Sequence, residues 1–232
     1  MNLFYQPDID NGVHFLDNEE SRHAVKVLRY KNGDKLNIVN GKGTFFNGEI
    51  TDANSKKCHF KIIDQKASPK QNYNIHIAIA PTKNIERIEW FVEKAIEIGI
   101  HEISLIICDN SERKVVKTER LMRKAVSAMK QSIKAHLPTI NTPIHFNKFI
   151  QTNIIGEKYI ANVDFDNPTS LYSSASKNSN YCILIGPEGD FSEKELEMAL
   201  NHDFKKVSLG NSRLRTETAG ISACHILNLI NP

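Results

Sequence analysis

Tyr181-Cys182-Ile183-Leu184-Ile185-Gly186-Pro187-Glu188-Gly189-Asp190-Phe191-Ser192-Glu193-Lys194-Glu195 is the stretch whose reading decides the fold. Tyr181 to Ile185 is apolar at every position, the pattern of a strand covered on both faces rather than one. Gly186-Pro187 stops it. Ser192 followed three residues later by Glu195 forms a capping box, so a helix starts there. The segment between, Gly186-Pro187-Glu188-Gly189-Asp190, joins a buried strand to a capped helix, and its two glycines would let main-chain groups approach a ligand closely. It has neither the Lys-Ser/Thr of a phosphate-binding P-loop nor the Gly-x-Gly-x-x-Gly of a dinucleotide site, which weakens both nucleotide readings. Taken alone, such a turn also serves as a plain chain reversal.

Outward from this stretch, strands and helices alternate. Ile75 to Ala80 reads as a strand, Asn84 to Ile98 as a helix and Ile103 to Cys108 as a strand, a parallel βαβ unit. Ile85, Ile88, Phe91, Val92, Ala95 and Ile96 recur at helical spacing, and Gly99 supplies the helix stop. A strand near Tyr159 to Val163, a short strand at Lys206 to Leu209 and a closing helix at Thr218 to Leu229 complete a parallel sheet covered on both faces. The serine-rich stretch Ser170 to Asn180 reads as a mobile surface loop. In open parallel sheets ligands bind beyond the carboxyl ends of strands, so a second loop matters. Leu209-Gly210-Asn211-Ser212-Arg213-Leu214-Arg215-Thr216-Glu217-Thr218 places two arginines and a glutamate at a strand-to-helix junction. A purely structural account makes Glu217 a helix N-terminal charge with Arg215 as its surface partner.

The first 65 or so residues differ in character. Leu36 to Val39, Phe45 to Ile50 and Cys58 to Ile63 read as strands, and Asn40-Gly41 as a two-residue hairpin turn. These suggest a small β-barrel or sandwich. Arg22, His23, Lys26, Arg29, Lys31, Lys35 and Lys42 lie around it, but acids are interspersed and an ordinary solvated surface fits equally well. Polar Gln65 to Asn72, with Pro69, reads as a linker, giving domains at 1–68 and 73–232.

From Glu112 to Lys134 there are eight basic residues, Arg113, Lys114, Lys117, Arg120, Arg123, Lys124, Lys130 and Lys134, against two acids. The spacing predicts a helix over 118–134 with Met122, Val126, Met129 and Ile133 on one face and the cations opposite. Such local excess suits phosphate binding; the alternative is a solvated face. The whole chain is far less polarised: 232 residues carry Lys+Arg 30 against Asp+Glu 27, a net charge of +3, which names no partner. With 40% hydrophobic and 25% charged residues, the chain is far from the disordered class. Cys58, Cys108, Cys182 and Cys224 form no Cys-x-x-Cys pair and the histidines are scattered, so no metal site is expected and buried inert thiols are. No apolar run spans a bilayer and the opening residues carry no secretion signal pattern, so no membrane association and a cytoplasmic location are expected.

The chain resembles the RsmE-type 16S rRNA uridine N3-methyltransferases of the SPOUT class. The similarity runs nearly end to end: Lys26-Val27-Leu28-Arg29, then Glu93-Lys94-Ala95-Ile96-Glu97-Ile98-Gly99, then Ser111-Glu112-Arg113. Its most specific parts are Leu184-Ile185-Gly186-Pro187-Glu188-Gly189 and Leu209-Gly210 with Leu214-Arg215-Thr216-Glu217-Thr218-Ala219. Lys130-Gln131 departs from the Glu-Gln of many relatives, and Ala161-Asn162-Val163-Asp164-Phe165 departs from the family pattern.

The resemblance implies a PUA-like β domain followed by a parallel-sheet methyltransferase domain with a C-terminal trefoil knot, acting as a homodimer on 16S rRNA or the assembled small ribosomal subunit. It implies S-adenosylmethionine held around Leu184, Ile185, Gly186, Pro187, Glu188, Gly189, Leu209, Gly210, Leu214, Arg215 and Thr218. Arg215, Glu188, Glu217 and Arg113 become candidates for the chemistry. Arg22, His23, Lys26, Arg29, Arg113, Arg120, Arg123, Lys124, Lys130 and Lys134 become candidates for RNA contact. Methylation of another rRNA base or a ribose 2′-hydroxyl, and a non-catalytic RNA-binding assembly factor, are the rival expectations.

Overall fold

The computed structural model describes residues 2–162 and 169–232. Val163, the predicted end of one strand, and the divergent Asp164 and Phe165 lie outside these described residues. The chain divides into two compact units, Met1–Lys70 with Val126–Leu137, and Gln71–Ala125 with Pro138–Pro232. The first division falls inside the polar 65–72 stretch. The second, which the sequence reading does not contain, places Val126–Leu137 with the amino-terminal unit.

In that unit β1 (Leu3–Tyr5), β2 (Lys35–Val39), β3 (Thr44–Asp52) and β4 (His59–Ala67) form one sheet in sequential order. β1 pairs parallel with β2 and the other pairs are antiparallel. Register shifts at Asn47/Gly48 and Ile50/Asp52 bend the β3–β4 ribbon. Alternate side chains, Leu36 and Ile38 on β2 with Phe46 and Ile50 on β3 and Phe60 on β4, fill the core together with Phe4, Leu16 and Ala24. The Asn40-Gly41 turn is a correction. Val39 pairs with Phe45 and the connection is Asn40 to Gly43, with positive φ at Gly41 and Gly43. Asn40 acts through its side chain, whose Oδ1 accepts from the N–H groups of Lys42 and Thr44 at 2.8 and 3.0 Å. A helical segment also stands where only strands and turns were expected: α1 (Asn18–Arg22), capped by Asp17, runs into a π-turn at His23–Val27.

The second unit holds a seven-stranded parallel sheet built from β5 (Asn74–Ile79), β6 (Glu102–Ile107), β7 (Thr139–Ile140), β8 (Ile144–His145), β9 (Glu157–Ala161), β10 (Asn180–Ile185) and β11 (Lys205–Val207). The order is β11-β9-β10-β5-β6-β7, with β8 also on β6. β10 therefore sits between β9 and β5, and the run Tyr181 to Ile185 is buried throughout. Cys182 and Leu184 face one core with Ala78, Ile106 and Ile160, under α4 (Phe146–Phe149) and α6 (Glu193–Asn201). The opposite face is covered by α7 (Thr216–Ile230), which packs on β5, β10 and α2 (Ile85–Ile98). Gly220 permits that close approach: a Cβ there would lie 2.7 Å from Phe91 and 3.0 Å from Ile79.

The two predicted helix signals are realised in detail. Ser192 and Glu195 form both halves of the capping box, and Gly99, at φ 129, ends α2. The serine-rich segment carries more structure than the expected loop. Ser170 caps the short α5 (Leu171–Ser174), Leu171 is fully buried, and Tyr159 Oη donates to the Ser174 carbonyl at 2.9 Å. α3 (Thr118–Gln131) buries Leu121, Ala125, Ala128 and Met129; of the predicted stripe Met129 is buried and Met122 and Val126 are half-buried, whereas Ile133, at φ 53, stands beyond the helix end and is exposed. Positive φ at a β-branched residue stops the helix.

Candidate active site

The loops leaving β10 and β11 converge at the carboxyl edge of the sheet. They enclose a cavity of about 370 Å³ whose walls include Gly186, Pro187, Glu188 and Asp190 from the first loop and Arg213, Leu214, Arg215 and Thr216 from the second. Ile185 supplies the floor, and Arg87, from the first turn of α2, supplies a side wall.

Three loops are stitched together to hold this shape. Asn110, in the loop after β6, donates through Nδ2 to the carbonyls of Gly189 and Asp190 at 3.3 and 3.1 Å. Arg113 Nε donates to the carbonyls of Thr82 and Lys83 at 3.1 Å each, and Nη2 to Lys83 at 2.6 Å. The N–H of Lys83 in turn donates to Glu188 Oε1 at 3.0 Å. Ser192 Oγ donates to Asp109 Oδ2 at 2.7 Å and the Asp109 N–H to Glu195 Oε1 at 2.9 Å. Phe191 anchors the end of the first loop in the core beside Phe146, with ring centroids 5.7 Å apart.

This geometry changes the part the glycines play. A Cβ on Gly189 would lie 3.3 Å from Asn110 Cβ, and one on Gly186 would lie 3.1 Å from the Phe191 ring. Both glycines make room for neighbours within the stitched loops. The left-handed residue is Asp190, at φ 62, whose Oδ1 accepts from the Phe191 N–H at 2.8 Å.

Charge is concentrated in the same place. Arg87, Arg213 and Arg215 line the cavity with Glu188 and Asp190. Glu217, two residues inside α7, is 6% exposed, with Oε1 3.8 Å from Arg87 Nε. One buried carboxylate oxygen each of Glu188 and Glu217, Oε2 in both, has no hydrogen-bond partner among the described residues. Such atoms cost on the order of 1–3 kcal/mol each when left unpaired, so the fold holds acceptors that a bound donor would satisfy. Arg215 caps α7 without a side-chain oxygen. The first N–H groups of that helix therefore keep their capacity to bind an anionic group.

The sequence-derived candidates separate into groups. Ile185, Gly186, Pro187, Glu188, Leu214 and Arg215 line the cavity, whereas Leu184, Gly189, Leu209, Gly210 and Thr218 are not among its described walls. Arg113 is a brace between loops. Arg120 is paired with buried Glu89, and Lys130 is hydrogen-bonded to Glu20, which is buried in the amino-terminal unit. Burial pushes the Glu20 carboxyl above its ordinary value, with Lys130 opposing the shift. Arg123 and Lys124 remain exposed on α3, as do Arg22, Lys26 and Arg29 around the π-turn; Lys134 and His23 are half-buried. Arg87, Arg213, Thr216 and Asn110 were not among the sequence candidates. The signal for Arg87 was its position in the first helical turn after β5, but the β5–β10 adjacency that brings it here leaves no trace in local spacing. Among the described residues no His/Cys/Asp/Glu group forms a metal site, and all four cysteines are buried thiols. No described helix is long and apolar enough to cross a membrane.

A parallel sheet with a polar cavity at its carboxyl edge, built from a strand-to-capped-helix loop and an arginine-rich partner loop, defines the class: an α/β protein that binds a small polar ligand at a switch in strand order. Residues 69–228 match the RNA methyltransferase domain, and residues 16–63 match the RNA methyltransferase PUA domain. The chain belongs to this RNA methyltransferase family, whose curated relatives include the ribosomal RNA small subunit methyltransferases E. The Rickettsia conorii protein of that name is 29% identical over 90% of this chain and 86% of its own length. Among solved structures, a probable rRNA-methyltransferase from Porphyromonas gingivalis is 43% identical, covers 99% of this chain and 98% of its own, and superimposes with a TM-score of 0.92. A putative methyltransferase from Legionella pneumophila, in complex with the bound cofactor SAM, is 26% identical, covers 100% and 98%, and has a TM-score of 0.88.

Proposed function

We propose that this protein transfers the methyl group of S-adenosylmethionine to N3 of a uridine in the decoding region of 16S rRNA of the small ribosomal subunit. The observation that carries the reading is the convergence of the 186–190 and 213–216 loops on one cavity beside two buried, partnerless carboxylate oxygens. The donor set suits this cofactor. Carboxylates of Glu188, Asp190 and Glu217 favour its ammonium and sulfonium charges and accept from its hydroxyls, while the open N-terminus of α7 favours its carboxylate.

The bound cofactor supplies an electrophilic methyl carbon. Uracil N3 forms the new N–C bond as the C–S bond breaks, and the N3 proton leaves to a base, yielding N3-methyluridine and S-adenosylhomocysteine. In this reading Arg215, exposed at the cavity wall, stabilises the uracil anion, and Glu188 and Glu217 accept a proton or orient the arginines. N3 is a Watson–Crick position, so the base must be unpaired, at a cost of a few kcal/mol that cationic contacts to phosphates offset. Arg123 and Lys124 on α3, with Arg22, Lys26 and Arg29 in the amino-terminal unit, supply such contacts. The reading includes a cytoplasmic homodimer and a C-terminal trefoil knot; the insertion of β10 between β9 and β5, with α7 returning onto α2, supports the knot. The domain assignment 1–68 and 73–232 belongs to the same reading.

Mass spectrometry of small-subunit rRNA after incubation with the purified protein and labelled S-adenosylmethionine tests it. Label on N3-methyluridine is the expected result. Label on a ribose 2′-hydroxyl or another base, or none, overturns the assignment.

A further inference from the structure

A second cavity in the second unit is larger than the one above. A hollow of about 590 Å³ opens at the opposite, amino-terminal edge of the sheet, where β5, β6 and β10 begin. On the same sheet face the neighbouring positions, Ala78, Ile106 and Leu184, are apolar core. Here the positions are His76 and Ser104, joined Nε2 to Oγ at 2.8 Å. Asn141 commits its amide hydrogens to Glu102 Oε1 at 2.7 Å and Ser104 Oγ at 2.9 Å.

Ser104 Oγ accepts from Asn141 and also meets His76 Nε2, so the hydroxyl and the imidazole are occupied with each other and with Asn141. Burial pushes His76 below its ordinary value, with Glu102 opposing the shift, which favours the neutral imidazole. What the cluster still offers is acceptor capacity: the Glu102 carboxylate, whose side chain is 34% exposed, and the Asn141 carbonyl. Among the described residues no Lys or Arg lines the hollow, so it offers a phosphate no cationic side chain. Phe149 and Ile154 supply apolar walls, and the volume lies within the range of small-molecule sites.

We infer that this hollow is a second binding site, for a flat heterocycle bearing an exocyclic amino group, of the adenine or cytosine type. Glu102 and the Asn141 carbonyl take the two amino hydrogens, and the ring lies against Phe149 and Ile154. A carboxylate accepting from a base amino group is an established form of base readout. The base is that of a free nucleoside or of an RNA strand.

The test is calorimetric titration of the full-length protein with adenosine, cytidine and uridine, with and without one equivalent of S-adenosylhomocysteine, and with a short adenine- and cytosine-containing oligoribonucleotide. The inference expects saturable binding of adenosine or cytidine that persists when one equivalent of S-adenosylhomocysteine fills the first cavity, with uridine about tenfold weaker. Glu102→Ala should weaken binding by a similar factor. Asn153→Trp, at an exposed lining position, should occlude the site while leaving S-adenosylhomocysteine affinity unchanged, which separates a lost ligand from a lost fold. Equal affinity for nucleoside and oligonucleotide identifies a free ligand, and a gain with the oligonucleotide identifies a base within RNA. Absence of saturable binding, equal affinity for uridine, or indifference to both substitutions overturns it. Failure of S-adenosylhomocysteine itself to bind would count against the methyltransferase reading instead.

Discussion

Lys83 links Glu188 to Arg113 through its main chain. Its N–H donates to Glu188 Oε1 at 3.0 Å, and its carbonyl accepts from Arg113 Nη2 at 2.6 Å. One peptide segment thus relays the position of a guanidinium in the loop after β6 to a carboxylate at the cavity wall.

Arg113→Ala should release that segment. The expected outcome is cofactor binding about tenfold weaker by calorimetry, equivalent to about 1.4 kcal/mol. Arg113→Lys should recover little, because an ammonium cannot reproduce the guanidinium fork across two carbonyls.

Arg215→Ala should divide the kinetic parameters differently. Arg215 provides no side-chain cap to α7, so its loss should leave the melting temperature nearly unchanged. Turnover should fall far more than cofactor affinity, about 10²-fold or more if it stabilises developing charge. Equal turnover in single-turnover assays would remove it from the chemistry.

The basic residues of α3 should not behave alike. Arg123→Ala with Lys124→Ala should weaken RNA binding and flatten its salt slope by roughly 0.7 per lost single-strand phosphate contact, with stability unchanged. Lys130→Ala should instead destabilise the fold by about 3 kcal/mol, because Glu20 is left buried without its cation. Adding Glu20→Gln should recover much of that loss in denaturant unfolding.

His76 predicts an acid-side dependence. An unfolded imidazole titrates near 6.5, and burial lowers it in the fold. The unfolded chain therefore binds more protons as pH falls below about 6.5, so the stability contribution is complete above that value and is lost as pH falls through the lowered one. The melting temperature of His76→Gln should decline less steeply over that window than that of the parent.

Much of this architecture was legible because its signals are local. The apolar run Tyr181 to Ile185, the Ser192/Glu195 box and Gly99 each specify their element within one turn or strand. What stayed hidden depends on neighbours distant in sequence. Arg87 reaches the cavity only because β5 lies beside β10. Asn110 matters only because the loop after β6 meets the loop after β10, and Lys130 reads as a free cation until Glu20 is seen next to it. The glycines at 186 and 189 were legible as constraints but not in cause, since the groups they accommodate, Phe191 and Asn110, are revealed by packing. The stripe on α3 was legible only in part for a related reason: two apolar faces overlap in its sequence, and burial selected Leu121, Ala125 and Ala128 beside the predicted Met129.

The placement of β10 has a consequence for biogenesis. Ile79 on β5 and Ile185 on β10 are register partners, so a nascent chain emerging from the exit tunnel carries an open strand edge until the whole intervening segment has been synthesised. Long-range pairing of this kind slows folding and leaves sticky edges available to chaperones or to other nascent chains.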